Sequence, residues 1–265
     1  MIFLKLGGSL ITDKSRPETP RLDVLERLAR EIATARRTDP SIRVLLGHGS
    51  GSYGHVAAAA FRTQDGASSS KEWRGFAAVW RSANRLNRLV VDALADVGLP
   101  VMAFPPSASA VAIDGEVDSL ALSSIVRALA HGLLPVVHGD VAFDTKRGAC
   151  ILSTESVFGW LAPVLQPDRI MLAGSEAGVY SDFPGNTNLL PSVSQHMMEN
   201  LGLQPSASVD VTGGMAEKVR SALKWVRADP DLDVRIFSGL VEGQVQAALL
   251  GGAPGTRVVW LAERT

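Results

Sequence analysis

The chain has 265 residues and a formal net charge of −1, with 46 % hydrophobic and 20 % charged residues. This balance is typical of a globular protein and excludes a strongly basic chain of the kind that binds nucleic acid or anionic membranes. Cys150 is the single cysteine, which excludes a disulfide framework within the chain, and no apolar run reaches membrane-spanning length, so we expect a cytoplasmic protein.

Short apolar strands alternate with helices along the first part of the chain. A strand over 2–6 ends at Gly7-Gly8-Ser9, and a helix that begins near Thr19-Pro20 stops before Pro40. A second strand, 43–46, leads into a glycine-rich loop, and apolar residues at helical spacing predict a long helix over 71–97. A strand over 101–104 and a helix over 118–130 follow.

The same alternation continues to the end of the chain. We expect strands at 133–137, 169–173, 234–237 and 257–260, a hairpin turn at 144–148, and helices over 215–227 and 243–250. Many short strands separated by helices indicate an α/β fold. The prediction is a three-layer αβα sandwich with a central, mostly parallel sheet.

The loop after the second strand carries four glycines in eight residues, Gly47, Gly49, Gly51 and Gly54, and ends at His55. Glycines let backbone N–H groups approach a ligand, and a strand-to-helix turn favours an anion, so this loop predicts a phosphate site. A dinucleotide fold is disfavoured, because Glu72 does not end a second strand as that fold requires. A purely structural tight turn remains an alternative.

Lysines accompany the glycine loops. Lys5 lies inside an apolar strand, where a charge is costly without a partner, so a functional role is preferred over a surface lysine. Lys14 follows the Gly7-Gly8 turn, and its position is compatible with a functional role or with a surface lysine. Because loops at the carboxyl ends of neighbouring parallel strands share one edge, the two glycine loops are expected to converge on one ligand.

Bulky aromatic residues open the long helix shortly after the glycine loop. Trp73, Phe76 and Trp80 are candidates for the wall of an apolar pocket, with core packing as the alternative. The arginine stripe on the opposite side of this helix is interpreted as a solvated face.

A further glycine turn, Asp210-Val211-Thr212-Gly213-Gly214, leads into a helix that carries Lys218 in its first turns. Together with Lys5-Leu6-Gly7-Gly8-Ser9, the loop ending at His55, and His138-Gly139-Asp140, it resembles the amino acid kinase superfamily and, within it, the isopentenyl phosphate kinase family. The resemblance covers essentially the whole chain in order. It implies one kinase domain over 1–265, with the acceptor held by about 1–166 and the nucleotide by about 167–265.

On the nucleotide side, the resemblance implies that ATP is the cofactor and that Mg²⁺ arrives bound to its phosphates, with no metal ligand from the protein. Lys5 and Lys218 would bind the phosphates of ATP, and Asp140 would orient a lysine. The remaining implied nucleotide contacts are Gly7, Gly8, Ser9, Gly51, Ser175 and Gly214.

On the acceptor side, the resemblance implies a small alkyl phosphate as substrate and a homodimer as the assembled form. Lys14 would stabilise the transition state, and His55 would donate a hydrogen bond to the acceptor's phosphate. The other expected acceptor contacts are Ser50, Gly54 and Thr154, together with Phe76 and Trp80 from the aromatic start of the long helix.

The chain departs from the family pattern in particular places. Ser153-Thr154-Glu155 replaces an expected Ser-Gly-Asp, and the stretch before Gly178 lacks two expected aspartates. A small phosphonate kinase similar to fosfomycin kinase is the alternative enzyme. A nucleotide-binding sensor without catalysis is disfavoured, because Lys5, Lys14 and Lys218 are all present.

Overall fold

Two β-sheets form the centre of the protein, which is described by a computed structural model over residues 1–54, 66–182, 185–200 and 213–261. The strands are β1 (Ile2–Leu6), β2 (Val44–His48), β3 (Val101–Ala103), β4 (Ala110–Ile113), β5 (Glu116–Leu120), β6 (Leu134–His138), β7 (Asp140–Asp144), β8 (Gly148–Leu152), β9 (Arg169–Gly174), β10 (Ser192–Val193), β11 (Asp233–Ser238) and β12 (Thr256–Val258).

Helices connect the strands. They are α1 (Gly8–Ile11), α2 (Leu22–Thr38), α3 (Ser70–Asp96), α4 (Pro106–Ser109), α5 (Leu122–Ala130), α6 (Thr154–Leu165), α7 (Gln195–Asn200), α8 (Gly213–Ala228) and α9 (Gln244–Leu249). Within the described ranges, none of these helices is both long and apolar enough to cross a lipid bilayer.

The larger sheet has eight strands in the order β10-β12-β11-β9-β1-β2-β6-β3. Its paired strands run parallel except for β11 and β12. Strand β1 is central: Leu4 lies opposite Leu46 of β2 on one side and Met171 of β9 on the other. The carboxyl ends of β1, β2, β6 and β9 therefore lie at one edge of the sheet, where their loops meet.

Helices cover both faces of this sheet. Alternate residues of β1 point to opposite sides, so Phe3 packs in the core cluster with α5, α6 and α8, whereas Leu4 packs in the cluster with α2, α3 and α9. The predicted three-layer αβα sandwich with a mostly parallel sheet is confirmed.

Helix α3 begins with a capping box. The Ser69 hydroxyl accepts from the Glu72 backbone N–H, and the Glu72 carboxylate accepts from the Ser69 N–H. Glu72 is thus a helix-start residue, in agreement with the argument against a dinucleotide fold.

A second sheet of four strands, in the order β5-β4-β7-β8, differs from the expected course of the chain. The predicted helix over 118–130 is wrong at its start, because Glu116–Leu120 form β5 and α5 begins at Leu122. The turn before β5 is Asp114-Gly115, with φ of 54° and 86°. Asp-Gly with two positive φ values is a strong hairpin signal, and it directs 116–120 back along β4.

The two glycine loops meet backbone to backbone. Gly49 N donates to Leu6 O at 3.0 Å, and a Cβ placed on Gly8 would lie 2.5 Å from Gly51 N. Such an approach has no room for a side chain. The expected convergence of the loops after β1 and β2 is therefore present in the fold.

This contact predicts a stability difference between two glycine substitutions. Gly8→Ala should lower the free energy of unfolding by about 1–3 kcal/mol, because the added methyl group meets rigid backbone. Gly139→Ala should be tolerated, since the nearest atom to its added Cβ is 3.8 Å away. Thermal unfolding of both variants measures the difference, and equal melting temperatures would contradict the close packing.

Candidate active site

A buried ion pair lies at the carboxyl end of β1. The ammonium group of Lys5 donates to the carboxylate of Glu155, which stands in the first turn of α6, and both side chains are about nine-tenths buried. Burial raises the pKa of Glu155, but the charge and hydrogen bond of Lys5 outweigh it, so the pKa ends below its ordinary value. Glu155 is therefore an anion that holds Lys5 in one orientation.

A second lysine, Lys218 of α8, points toward the same place. A Cβ built on Gly174, at the end of β9, would lie 3.2 Å from Lys218 Nζ. Burial, followed by the positive charge of Lys5, lowers the pKa of Lys218 to about 8, whereas Glu155 acts in the opposite direction. The positive charge of Lys14 also lowers the pKa of Lys218. Three predicted lysines thus lie close enough to influence one another, and the buried carboxylate of Glu155 is paired with one of them, Lys5.

The predicted nucleotide residues surround this region. Gly7 N donates to Ala173 O at 2.8 Å, which joins the first glycine loop to the end of β9. The Ser175 carbonyl accepts from the Ser238 hydroxyl at 3.1 Å. Gly214 lies at the start of α8 with open space where a side chain would be.

The predicted acceptor loop forms a tight turn after β2. The Ser50 carbonyl accepts from Tyr53 N at 3.1 Å and Gly54 N at 3.2 Å, and Gly51 has a φ of +50°. A Cβ on Gly139 would lie 3.8 Å from Ser50 N, so the ends of β2 and β6 face each other here. His55, predicted to hold the acceptor's phosphate, lies outside the described residues.

Thr154, a predicted acceptor contact, uses its hydroxyl in a hydrogen bond within the protein. Its hydroxyl donates to His48 O at 2.7 Å, and the side chain is buried. Because a threonine hydroxyl has one proton, this arrangement leaves none for a phosphate. In this structure Thr154 ties the start of α6 to β2.

The expectation that Asp140 orients a lysine requires correction. Its carboxylate accepts from the Ser107 hydroxyl at 2.6 Å, from Ser107 N at 3.3 Å and from Val141 N at 2.9 Å. Burial raises the pKa of Asp140 to about 6, against these hydrogen bonds. The lysine-orienting carboxylate is Glu155, which the sequence pattern marked only as a departure from Ser-Gly-Asp.

A pair of stacked imidazoles lies behind the glycine turns. The rings of His48 and His138, at the ends of β2 and β6, are 5.1 Å apart with planes at 5°. Both are fully buried; His48 contacts Asn87 Oδ1 at 3.1 Å, whereas neither ring nitrogen of His138 has a hydrogen-bond partner in the described structure. Burial lowers both pKa values, with that of His138 well below its ordinary value. These histidines are neutral rings that pack between the strand ends and α3.

The predicted aromatic residues separate into two environments. Phe76 is buried against Val141 and Ala149, and its ring lies 5.5 Å from Trp73 and 5.1 Å from Phe143. Trp80 is 45 % exposed. Phe143 joins this cluster from the second sheet, and no spacing in the sequence indicated it.

A cleft with a volume of about 690 Å³ lies between α6, α8 and β5. Glu155, Trp160 and Trp225 line parts of it. None of the residues predicted from the sequence as site residues lies in its wall. The convergence of lysines and glycine loops is therefore a better candidate for the reacting centre than this cleft.

The described side chains do not form a cation site of their own. No group of three or more His, Cys, Asp or Glu side chains gathers within reach of one ion in the described ranges. The Glu155 carboxylate is paired with Lys5.

Comparison with known proteins gives one consistent relationship. The model of the amino acid kinase family matches residues 1–238. The isopentenyl phosphate kinase of Methanothermobacter thermautotrophicus is 34 % identical over 271 residues, covering 97 % of this chain and 98 % of the relative. That of Haloferax volcanii is 37 % identical over 226 residues, covering 84 % of this chain and 87 % of the relative.

Solved structures agree with the sequence comparison. A structure described as isopentenyl phosphate kinase superposes with a TM-score of 0.82 at 30 % identity, covering 97 % of this chain and 99 % of the other. An isopentenyl phosphate kinase substrate complex superposes with a TM-score of 0.76 at 25 % identity, covering 97 % of this chain. The chain therefore belongs to the amino acid kinase family and, within it, to the isopentenyl phosphate kinases.

Proposed function

We propose that this protein transfers the terminal phosphoryl group of ATP to isopentenyl phosphate, forming isopentenyl diphosphate and ADP. The observation that carries the proposal is the Lys5–Glu155 pair beside Lys218, at the point where the glycine loops after β1 and β2 meet. Phosphoryl transfer needs positioning and charge neutralisation more than covalent help, and lysines with backbone N–H groups supply both.

The donor side is assigned to about 167–265 together with the end of β1. Lys5 and Lys218 bind the ATP phosphates, and backbone N–H groups of the first glycine loop and of Gly214 donate to phosphate oxygens. Ser175 contacts the nucleoside end. Glu155 is neither an acid nor a base in this scheme; its contact with the Lys5 ammonium holds that group in one orientation, toward the phosphates.

The acceptor side is assigned to about 1–166. The turn at Ser50–Gly54 and His55 bind the acceptor's phosphate, while Phe76 and Trp80 bound its hydrocarbon tail. An acceptor that is already an anion needs no strong general base. Lys14 then stabilises the charge that develops on the transferring group.

Three further properties complete the proposal. Mg²⁺ enters with ATP, bound to phosphate and water. The protein assembles as a homodimer, as the resemblance to the isopentenyl phosphate kinases implies. It works in the cytoplasm, a reducing compartment that suits a single buried thiol; burial raises the pKa of Cys150 to about 12.

An acceptor panel tests the activity itself. ADP release should be fastest, as kcat/KM, with isopentenyl phosphate, and slower with fosfomycin and with longer prenyl phosphates. Phe76→Ala should improve the relative rate of longer chains, by at most about 0.8 kcal/mol for each added buried methylene group. A higher kcat/KM for fosfomycin would replace the proposed acceptor with a phosphonate.

Removal of Lys218 tests the shared phosphate site. Lys218→Ala should lower kcat by about 10²–10³-fold, as loss of one well-placed transition-state donor does. Lys224→Ala is the matched control, because Lys224 is an exposed lysine on the same helix. Steady-state kinetics on folded protein, checked by circular dichroism, measures both; similar turnover in the two variants would remove Lys218 from the site.

The pH dependence follows from the lowered pKa of Lys218. A lysine is cationic below its pKa, so kcat/KM for ATP should fall as the pH rises through about 8. Lys218→Arg keeps its charge at all these pH values and should abolish this basic limb, even if its overall rate is lower. A wild-type profile that stays flat to about pH 10, where an ordinary lysine titrates, would contradict the assignment.

A further inference from the structure

The loop that carries Lys14 has a closed base. Thr12 and Pro20 form a bridge, and Asp13 N donates to Thr19 O at 2.9 Å. Thr19 N donates to the Ser52 hydroxyl at 3.1 Å, which attaches this base to the acceptor turn. The base is therefore fixed without help from the tip, residues 14–18.

The tip is tied to other segments through one residue. Ser15 and Arg16 bond back to Asp13, within the loop itself. Glu18 reaches outward: its carboxylate accepts from the Ser82 hydroxyl at 2.7 Å and from Arg85 Nη1 at 2.6 Å, both on α3. Among the hydrogen bonds of the described residues, these are the only ones that join a tip side chain to another segment.

The backbone at Glu18 supports the same conclusion. Its φ is 45°, the left-handed region that non-glycine residues avoid, and its N–H points to Ser52 O at 3.4 Å. Such a conformation persists where surrounding contacts over-determine it. Here those contacts are the acceptor turn on one side and α3 on the other.

The Ser82 hydroxyl lies between two possible acceptors, Glu18 and Tyr53. It lies 2.7 Å from Glu18 Oε1 and 2.7 Å from the Tyr53 carbonyl, but it has one proton to donate. Without the Glu18 carboxylate, this proton goes to Tyr53, so the bond between α3 and the acceptor turn remains. Loss of Glu18 therefore releases the Lys14 loop and leaves the glycine turn in place.

We propose that Glu18 is a positioning residue: it fastens the loop of Lys14 to α3, so that the Lys14 ammonium is held at the junction of donor and acceptor. This inference rests on the proposed function of Lys14. Glu18 therefore affects the rate of the chemical step, whereas ATP binding depends on Lys5 and Lys218.

Kinetics of three variants test the proposal. Glu18→Ala should lower kcat by about tenfold or more, because small misplacements of a catalytic group are costly, while KM for ATP stays within about twofold. Glu18→Gln keeps an oxygen that can accept from Ser82 and should recover part of the loss. Arg88→Ala is the control, since Arg88 pairs with Asp92 on the exposed face of the same helix.

Limited trypsin digestion supplies a readout that does not depend on activity. Cleavage after Lys14 should be faster in Glu18→Ala than in wild type or Arg88→Ala, because the released tip opens more often. Wild-type kcat in Glu18→Ala, or unchanged cleavage after Lys14, would overturn the proposal. A wild-type protein that does not phosphorylate isopentenyl phosphate would instead overturn the proposed function, while the digestion still reports whether Glu18 holds the loop.

Discussion

The Lys5–Glu155 ion pair constrains the rest of the site. An ammonium group buried at the end of a central strand is costly unless a carboxylate meets it, and removing one partner leaves an uncompensated charge. The pair joins the first strand to helix α6, which lies 150 residues further along the chain. The glycine loops, Lys218 and Lys14 are arranged around this fixed charge, so it is the reference point for the proposed phosphate site.

Much of the fold could be predicted because its signals are local. Apolar runs that end in glycines gave the strands and the loops at their carboxyl ends, and helical spacing gave α3 to within a residue at each end. The convergence of the two glycine loops also follows from general geometry, since neighbouring parallel strands share an edge. Lys5 could be predicted as a candidate site residue, because a lysine inside an apolar strand is unusual.

The parts that could not be predicted depend on long-range pairing. Glu155 and Asp140 are both acids at the start of a structural element, and only the fold shows that Glu155 meets Lys5 while Asp140 meets Ser107. Phe143 of β7 contacts Phe76 of α3, and no periodic pattern in the sequence links these two residues. The Asp114-Gly115 turn is a local hairpin signal, and it explains why the residues after it form β5 and not the start of a helix.

The position of β1 bears on how the protein can move. Its backbone is hydrogen-bonded in register to β2 on one side and to β9 on the other. A hinge at β1 would have to shear this register and break several hydrogen bonds between neighbouring strands at once. The sheet is therefore rigid across β2, β1 and β9, and larger movements are left to the loops at the carboxyl ends of these strands.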